Sequence, residues 1–325
     1  MSQFSLFEVG KPDPEPIGPA DVSDEIHELG AKLSPSIRLG TSSWSFPGWE
    51  GIVYGRKATP SRLSRDGLGS YAQHPVLGGV GIDRTYYEPL PASTFRDYAT
   101  SVPDRFRFLV KASQEVTSPT LRSSDRGRHD HNPRFLDPIF ASAEVVQPFM
   151  EGLGDHGGPL VFQFSPLGHS FTKNPLVFIE RLCGFLEGLP KGPWYAVELR
   201  DEALLTHEYI DVLKASGATH CVNIHPRMAS IERQIEVAAP VIETRLAVRW
   251  MLHSGLEYED AKNRYAPFNR LVDEDLSSRR AIAKLAIATV KKGGETIIIA
   301  NNKAEGSAPL SLIELAKEIV AGCQL

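Results

Sequence analysis

Short apolar runs alternate with longer amphipathic segments from residue 36 to the end of the chain. The short runs indicate strands, and the segments between them have apolar residues at helical spacing. The eight predicted strands are Ile37–Thr41, Val80–Thr85, Phe106–Ala112, Leu160–Phe164, Trp194–Arg200, His220–His225, Arg245–Met251 and Thr296–Asn301. Strands that alternate with helices pair in parallel, and eight such units predict an α/β fold closed into a TIM-type (β/α)8 barrel.

Three of the connecting segments carry a clear apolar stripe. The stripes comprise Ile179, Leu182, Cys183, Leu186 and Leu189; Ile282, Leu285 and Thr289; and Leu312, Leu315, Ala316 and Ile319. Ser307 followed by Pro309 predicts the start of the last helix. The helical pattern is weaker after the first and sixth strands. An open doubly wound sheet is the alternative fold, but the glycine-rich dinucleotide fingerprint is missing after the first strand.

Composition separates an N-terminal segment from the regular part of the chain. Residues 1–35 are rich in proline and acidic residues, which predicts a flexible N-terminal arm with a short helix within Asp21–Leu33. Residues 36–325 have no linker-like stretch and are predicted to form a single barrel domain. The polar stretch Ser118–Arg134 is long for a simple connection, so we expect a lid-like loop or a partly disordered excursion there.

Bulk charge and cysteine usage indicate the kind of environment. The formal net charge is −5, which gives no general attraction to nucleic acid or to an acidic membrane. This net charge does not exclude a local basic groove. Cys183, Cys221 and Cys323 lack the spacing of a metal site and are expected to be buried thiols in a reducing compartment. No apolar run has the roughly 20 residues of a membrane span, and no secretory signal is expected. We therefore expect a cytoplasmic protein.

Polar side chains collect at the carboxyl ends of the predicted strands. Because alternate residues of a strand face opposite sides, Glu198 and Arg200 share the inward face with Ala196. The same rule places four more polar residues inward at strand ends: Lys111, Gln163, Arg249 and Asn301. The active sites of (β/α)8 barrels lie at this rim.

Charges gathered inside a barrel must either pair with one another or meet a ligand. The excess of Lys and Arg over carboxylates favours an anionic ligand, because guanidinium and ammonium groups suit phosphate and carboxylate. The alternative is an internal network of salt bridges and amides that plugs the barrel without any function in binding.

Several segments resemble the YecE-like family, a widespread group of barrels of unknown function. The matching segments, in family order, are GTSSWSFPGWEGIVYG (40–55), IDRTYYEPLP (82–91), FRFLVKASQEVT (106–117), GPLVFQFSP (158–166), VELRDEALL (197–205), AVRWMLHSG (247–255) and NNKAEGSAP (301–309). The resemblance implies a TIM-type barrel distantly similar to the endonuclease IV and xylose isomerase group. It implies polar site positions at Trp44, Tyr87, Lys111, Gln163, Glu198, Arg200, Arg249, Asn301 and Asn302.

The sequence departs from the family pattern at several places. Where the family usually has a glutamate in its second motif, this chain has Gly81, with Asp83 close by. After the paired asparagines, where the family often has a histidine, this chain has Lys303. The spacing from Arg249 to His253 is longer than in the family. A reaction that uses a carboxylate on the second strand would therefore be lost in this chain or would use Asp83.

These observations assign provisional roles. Glu198 and Lys111 are the candidate catalytic residues: Glu198 as a base held ionised by Arg200, and Lys111 as a phosphate ligand, a base or a Schiff-base amine. The predicted substrate-binding residues are Arg200, Arg249, Gln163, Asn301, Asn302, Trp44, Tyr87 and Asp83. Trp44 and Tyr87 would form an aromatic platform, with core packing as the alternative for Trp44. The simplest alternative for Glu198 is a structural Glu–Arg pair.

The leading hypothesis is an enzyme, or a remnant of one, whose barrel binds a small anionic substrate such as a phosphorylated sugar. A non-catalytic barrel that binds nucleic acid or protein is the second hypothesis, although the net charge does not support nucleic acid. A metal-dependent phosphodiesterase is the third, and it would need His225, His253 and Glu198 as ligands. We predict no metal, because the strand ends supply mostly Arg, Lys, Asn and Gln, which are poor ligands. The sequence identifies no cofactor and no oligomeric state.

Overall fold

The structure, a computed structural model, describes residues 15–122, 129–253 and 255–323. Eight parallel strands close into a barrel in which each strand pairs with its neighbours in the chain and the first pairs with the eighth. In chain order, the first to eighth barrel strands are Ile37–Thr41, Leu77–Ile82, Arg107–Lys111, Gly157–Phe164, Tyr195–Leu199, Thr219–Ile224, Arg245–Trp250 and Glu295–Ala300. The predicted (β/α)8 barrel is therefore confirmed.

Helices surround this barrel, as the alternation of patterns predicts. The α-helices are Asp24–Lys32, Pro60–Asp66, Leu68–Tyr71, Ala92–Thr100, Gln114–Thr117, Pro138–Ala141, Gln147–Leu153, His169–Lys173, Pro175–Glu187, His207–Ser216, Ile231–Ile242, Tyr258–Tyr265, Leu276–Lys291 and Ala308–Cys323. Short 3-10 turns occupy Pro47–Trp49, Arg84–Tyr86, Gly154–His156 and Glu202–Leu204, and Ser142–Val146 is a π-helical turn. Among the described residues, no helix is both long and apolar enough to span a bilayer.

The second strand lies three residues earlier than predicted, at Leu77–Ile82 instead of Val80–Thr85. Its glycines resemble a turn in the sequence, but they allow the first two strands to approach closely. A Cβ atom on Gly40 would lie 2.1 Å from the carbonyl oxygen of Gly79. Residues after Ile82 leave the sheet and form the turn Arg84–Tyr86, which places Asp83 at the rim of the barrel.

Two separate apolar clusters follow the predicted alternation of faces. Outward-facing residues such as Phe162, Val197 and Trp250 pack beneath the helices in the main core. A second cluster fills the inside of the barrel and comprises Leu109, Val161, Trp194, Ala196, Cys221, Ala247, Met251, Ile297 and Ile299. This interior layer is apolar below and supports the polar residues above it at the carboxyl ends of the strands.

The predicted flexible arm, residues 1–35, lies only partly within the described residues. From Glu15 onward it is attached to the barrel: Ile17 is buried, Ala20 N donates to Val53 O at 3.0 Å, and the helix Asp24–Lys32 packs against the helix Ala308–Cys323. Leu29 supplies the buried contact of this helix. The apolar stripe within Asp21–Leu33 thus holds this part of the arm against the domain, where we expected loose attachment.

Two other expectations need correction in part. The polar stretch 118–134 contains a short antiparallel ladder between Thr120–Arg122 and His129–His131, while residues 123–128 lie outside the described part. Of the three cysteines, only Cys221 is buried; Cys183 is half-buried and Cys323 is exposed. All three are free thiols, and Cys183 and Cys323 lie on helices without being among their buried residues.

Candidate functional site at the barrel mouth

Arg249 is the centre of a polar network on the interior layer of the barrel. Its Nη1 donates to Glu198 Oε2 at 2.5 Å and to Gln163 Oε1 at 3.0 Å, and its Nη2 donates to Asp83 Oδ1 at 2.8 Å. These four side chains come from the ends of the second, fourth, fifth and seventh strands. Strand pairing fixes part of this arrangement, because Gln163 lies opposite Glu198 in the register.

Glu198 receives a second guanidinium from the residue two positions along its own strand. Arg200 Nε donates to Glu198 Oε1 at 2.7 Å, so both carboxylate oxygens are occupied. Burial alone would favour the protonated acid, but the positive charges of Arg200 and Arg249 outweigh it and hold the pKa of Glu198 down to about 2. At neutral pH, Glu198 is therefore an anion that orients two arginines.

Lys111, at the end of the third strand, has a different environment. Its Nζ lies 3.6 Å from the centre of the Tyr86 ring, a cation–π contact. Among the described residues, no carboxylate lies within ion-pair distance of it. Burial, followed by repulsion from Arg249, lowers the pKa of Lys111 to about 8. A neutral amine is thus accessible near physiological pH, which makes Lys111 a stronger candidate for proton transfer than Glu198.

A cavity of about 300 Å³ opens beside this network. Gln163 and Arg200 line it from the network, and Ser165, His225 and Arg227 line it from the loops that follow the fourth and sixth strands. Leu252, Leu256 and Tyr258 form an apolar wall. A cavity of this size is at the lower end of the range for small-molecule sites.

The polar groups around this cavity are mostly hydrogen-bond donors. His225 Nδ1 accepts a hydrogen bond from Arg227 N at 3.2 Å, so the proton of the neutral ring belongs on Nε2. Burial and the charge of Arg200 lower the pKa of His225 to about 4, which keeps the ring neutral at pH 7. Ser165 Oγ accepts from Gln163 Nε2 at 3.4 Å, which leaves its own hydroxyl hydrogen to donate.

The two arginines add unsatisfied donors. Arg200 keeps Nη1 without a hydrogen bond to any described residue, and the Arg227 side chain has neither a hydrogen bond nor an ion pair within the described part of the chain. The carboxylate of Glu257 also lines the cavity but is exposed to solvent. Two guanidinium groups, an imidazole N–H and a hydroxyl therefore face one small volume.

The side chains of the two asparagines predicted at the mouth, Asn301 and Asn302, point in different directions. Asn301 lies at the rim, where Nδ2 donates to Ser42 Oγ at 2.8 Å and Oδ1 accepts from Lys303 Nζ at 3.0 Å. Asn302 turns away from the mouth: its Oδ1 accepts from Trp49 Nε1 at 3.3 Å and from Ala308 N at 2.8 Å. Asn302 therefore holds the start of the last helix.

The two predicted platform aromatics are not brought together. Trp44 is buried, donates from Nε1 to Ser64 O at 3.2 Å and packs edge-on against Tyr98. Tyr87 is 74% exposed and contacts Tyr86 edge-on. Sequence reasoning missed two aromatic rings that do reach the site: Tyr258 lines the cavity, and Tyr86 contacts Lys111. The position of Tyr86 next to Tyr87 in a turn gave no signal of which ring would face inward.

Arg227 and Ser165 also line the site, although the sequence analysis assigned them no role, and His225 was considered there only as a metal ligand. Arg227 lies in a loop three residues beyond its strand, where the alternation of faces no longer fixes direction. Asp83, which the sequence left as one of two outcomes for the carboxylate missing at Gly81, does reach Arg249. A Cβ atom on Gly81 would lie 3.2 Å from Ile299 Cγ2, so this position faces the barrel interior.

No metal-binding arrangement is found in residues 15–122, 129–253 and 255–323, where no three His, Cys, Asp or Glu side chains are grouped to hold an ion. The two carboxylates of the network are occupied by arginine, and His225 presents a ring N–H to the cavity. The donor set of this site thus fits an anion better than a cation.

Comparisons with known proteins agree with the fold. The family model described as "Protein of unknown function DUF72" matches residues 38–323. A DUF72 family protein from Enterococcus faecalis V583 is 18% identical, with a TM-score of 0.56 over 89% of this chain and 96% of that one. A DUF72 family protein from Thermotoga maritima MSB8 is 18% identical, with a TM-score of 0.53 over 86% of this chain and 98% of that one. No curated protein sequence matches this chain.

Proposed function

Because the chain belongs to the DUF72 family of proteins of unknown function, we propose a function from the chemistry of the barrel mouth: it binds a small anionic substrate that carries a phosphate or carboxylate group. The observation that carries this proposal is the surplus of donors around the cavity. Arg200, Arg227, His225 and Ser165 are all hydrogen-bond donors, and the two carboxylates of the network, Glu198 and Asp83, are already paired with arginine.

The buried network supports the same proposal by explaining how the arginines stay in place. A guanidinium recognises an oxyanion best when its plane is fixed before the ligand arrives. Glu198 holds the Arg200 guanidinium by accepting a hydrogen bond from Nε, and this leaves Nη1 to donate to a ligand. The network thus prepares a donor for the ligand, and its salt bridges serve binding in addition to filling the barrel.

For turnover, we propose Lys111 as the group that moves a proton. It lies on the third strand, beside the fourth strand that carries Gln163, and its lowered pKa makes the free amine available. Glu198 is a positioning residue in this proposal, since a carboxylate with a pKa near 2 is a very weak base.

Calorimetric titration tests the binding proposal with inorganic phosphate and a pentose phosphate as probes. The variant Arg227→Met should weaken binding by about tenfold or more, because it removes a charged donor. Arg233→Met is the matched control, since Arg233 is exposed and, among the described residues, forms an ion pair only with Glu236 on its own helix. Wild-type protein that binds neither probe, or Arg227→Met protein that binds them as the wild type does, would refute the proposal.

Two further measurements separate the alternatives. Phosphorus NMR of a panel of sugar phosphates should reveal conversion by the wild type and none by Lys111→Met, while both proteins bind the probe. No conversion of any member of the panel, or equal conversion by the variant, would reject the catalytic part alone. Binding of a single-stranded oligonucleotide that falls steeply with salt would instead support the nucleic-acid hypothesis.

A further inference from the structure

A second cavity, of about 340 Å³, lies at the opposite end of the barrel, where the strands begin. Charged residues enter it from the amino ends of four strands: Arg38, Arg107, Arg245 and Glu295. Each has the inward parity of its strand, as the interior residues Leu109, Ala247 and Ile297 do. The amino end of the barrel is therefore charged on its inner face, like the mouth.

Positive charge exceeds negative charge in this amino-end cavity, with three guanidinium groups around one carboxylate. Glu295 Oε1 lies 3.4 Å from Arg245 Nε, and Glu295 Oε2 lies 3.9 Å from Arg38 Nη1. Within the described residues, no carboxylate lies in ion-pair range of Arg107. The charge of Glu295 is thus shared at long distances between two arginines, and the third has no counter-charge.

Backbone carbonyls hold two of these arginines in place. Arg38 Nε donates to Arg105 O at 3.1 Å, and Arg107 Nη1 donates to Asp104 O at 2.6 Å. Burial and the nearby charge of Arg107 lower the pKa of Arg38, and Glu295 only partly offsets this. Two like charges are therefore held close together by the fold, an arrangement that a bound anion would relieve.

Much of the remaining cavity surface is apolar. Trp194, which belongs to the interior layer, lines it together with Phe149, Met150, Pro159 and Pro193, and Thr296 adds a polar side chain. Arg245 Cζ lies 5.8 Å from the centre of the Trp194 ring. Gly192 has a φ of +119° and open space around its Cβ position, so this part of the wall leaves room. The cavity thus combines a positive rim with an apolar interior.

We propose that the amino end of the barrel is a second binding site, which takes a small organic dianion: a phosphate monoester or a dicarboxylate with an apolar body. Three arginines against one glutamate leave two positive charges, which a dianion neutralises. The apolar wall accommodates the organic part, and a cavity of about 340 Å³ admits a small molecule of this kind. This site is separate from the mouth and does not depend on the function proposed for it.

Tryptophan fluorescence tests the proposal, because Trp194 lines this cavity and the other three tryptophans do not. The probes are phenyl phosphate, succinate and inorganic phosphate. Phenyl phosphate should change the emission with a saturating curve and should bind more tightly than inorganic phosphate, since its ring covers the apolar wall. Trp194→Phe should abolish the signal, and added salt should weaken binding.

Charge-removing variants place the ligand. Arg107→Met and Arg38→Met should each weaken phenyl phosphate binding by about tenfold or more, while Arg227→Met, at the mouth, should leave the Trp194 signal unchanged. Circular dichroism shows whether each variant is folded. The proposal fails if the wild type gives no saturable signal with phenyl phosphate or succinate, or if both amino-end variants, folded, bind as tightly as the wild type.

Discussion

Arg249 Nη1 and Glu198 Oε2 lie 2.5 Å apart, and the two side chains are 2% and 0% exposed. Charges buried this deeply gain from each other roughly what they lose by leaving water, so the pair is weak evidence for added stability. Removing one partner is a different matter, because the other charge then stays buried without compensation. Both the fold and the binding site therefore depend on Glu198, so each Glu198 variant must be tested for stability as well as for binding.

The first prediction compares the two carboxylates that bind Arg249. Glu198→Gln should lower the free energy of unfolding by about 3 kcal/mol, because two buried guanidinium groups lose their counter-charge. Asp83→Asn should cost about 1 kcal/mol or less, since the Asp83 side chain is 36% exposed. Urea unfolding at pH 7 measures both. Equal losses for the two variants would show that burial does not control the strength of these pairs.

The general form of the site could be predicted from the sequence because strand alternation is a strict rule. A residue two positions from a known inward residue is also inward, so Lys111, Gln163, Glu198 and Arg249 followed from their strands alone. The rule holds even where strand bounds shift by a residue. The rule needs only to know which alternate residues of a strand face inward, and the apolar residues of the interior layer indicated that.

Most residues further beyond the strand ends than Arg200 and Asn301 could not be placed in this way. Asn302 follows Asn301 directly, yet one faces the rim and the other binds the start of the last helix. The directions of the Trp44 and Tyr87 rings could not be predicted for the same reason: in a turn, direction depends on backbone dihedrals that a sequence pattern does not specify. The second strand begins three residues earlier than predicted, and its glycines allow close packing between strands.

The second prediction concerns acid stability. The folded-state pKa of Glu198, about 2, lies below its usual 4.5, so the native state binds this proton less readily than the unfolded chain does. Its contribution is then complete above about pH 4.5 and is lost as the pH falls toward 2. The difference in unfolding free energy between wild type and Glu198→Gln should shrink across this window. A difference that stays constant from pH 7 to 2 would contradict the assigned cause.

The third prediction concerns Lys111, whose pKa is lowered to about 8 from 10.5. The unfolded chain binds this proton more readily between those values, so stability should rise with pH there and the charged amine should be unfavourable below pH 8. Lys111→Met should therefore be more stable than the wild type at pH 7, and the gap should narrow toward pH 10.5.

The titration of Lys111 can also be observed directly. NMR of protein with isotope-labelled lysine should show one signal with a midpoint near pH 8, absent from Lys111→Arg. Tyr86→Leu should lower that midpoint further, because it removes the ring face that stabilises the ammonium while keeping an apolar contact. A midpoint near 10.5 in the wild type would remove the argument for Lys111 as the proton-transfer group.

The last prediction separates structure from binding at the paired asparagines. Asn302→Leu leaves Trp49 Nε1 and Ala308 N buried without their acceptor, which should cost about 2–4 kcal/mol of unfolding free energy. The same variant, where still folded, should bind phosphate at the mouth as the wild type does, since the side chain points away from it. Asn301→Ala is the matched comparison, because Asn301 is half-buried at the rim and should cost less stability. If Asn302→Leu were as stable as the wild type but bound phosphate more weakly, Asn302 would be a ligand-binding residue after all, and its contacts with Trp49 and Ala308 would be incidental.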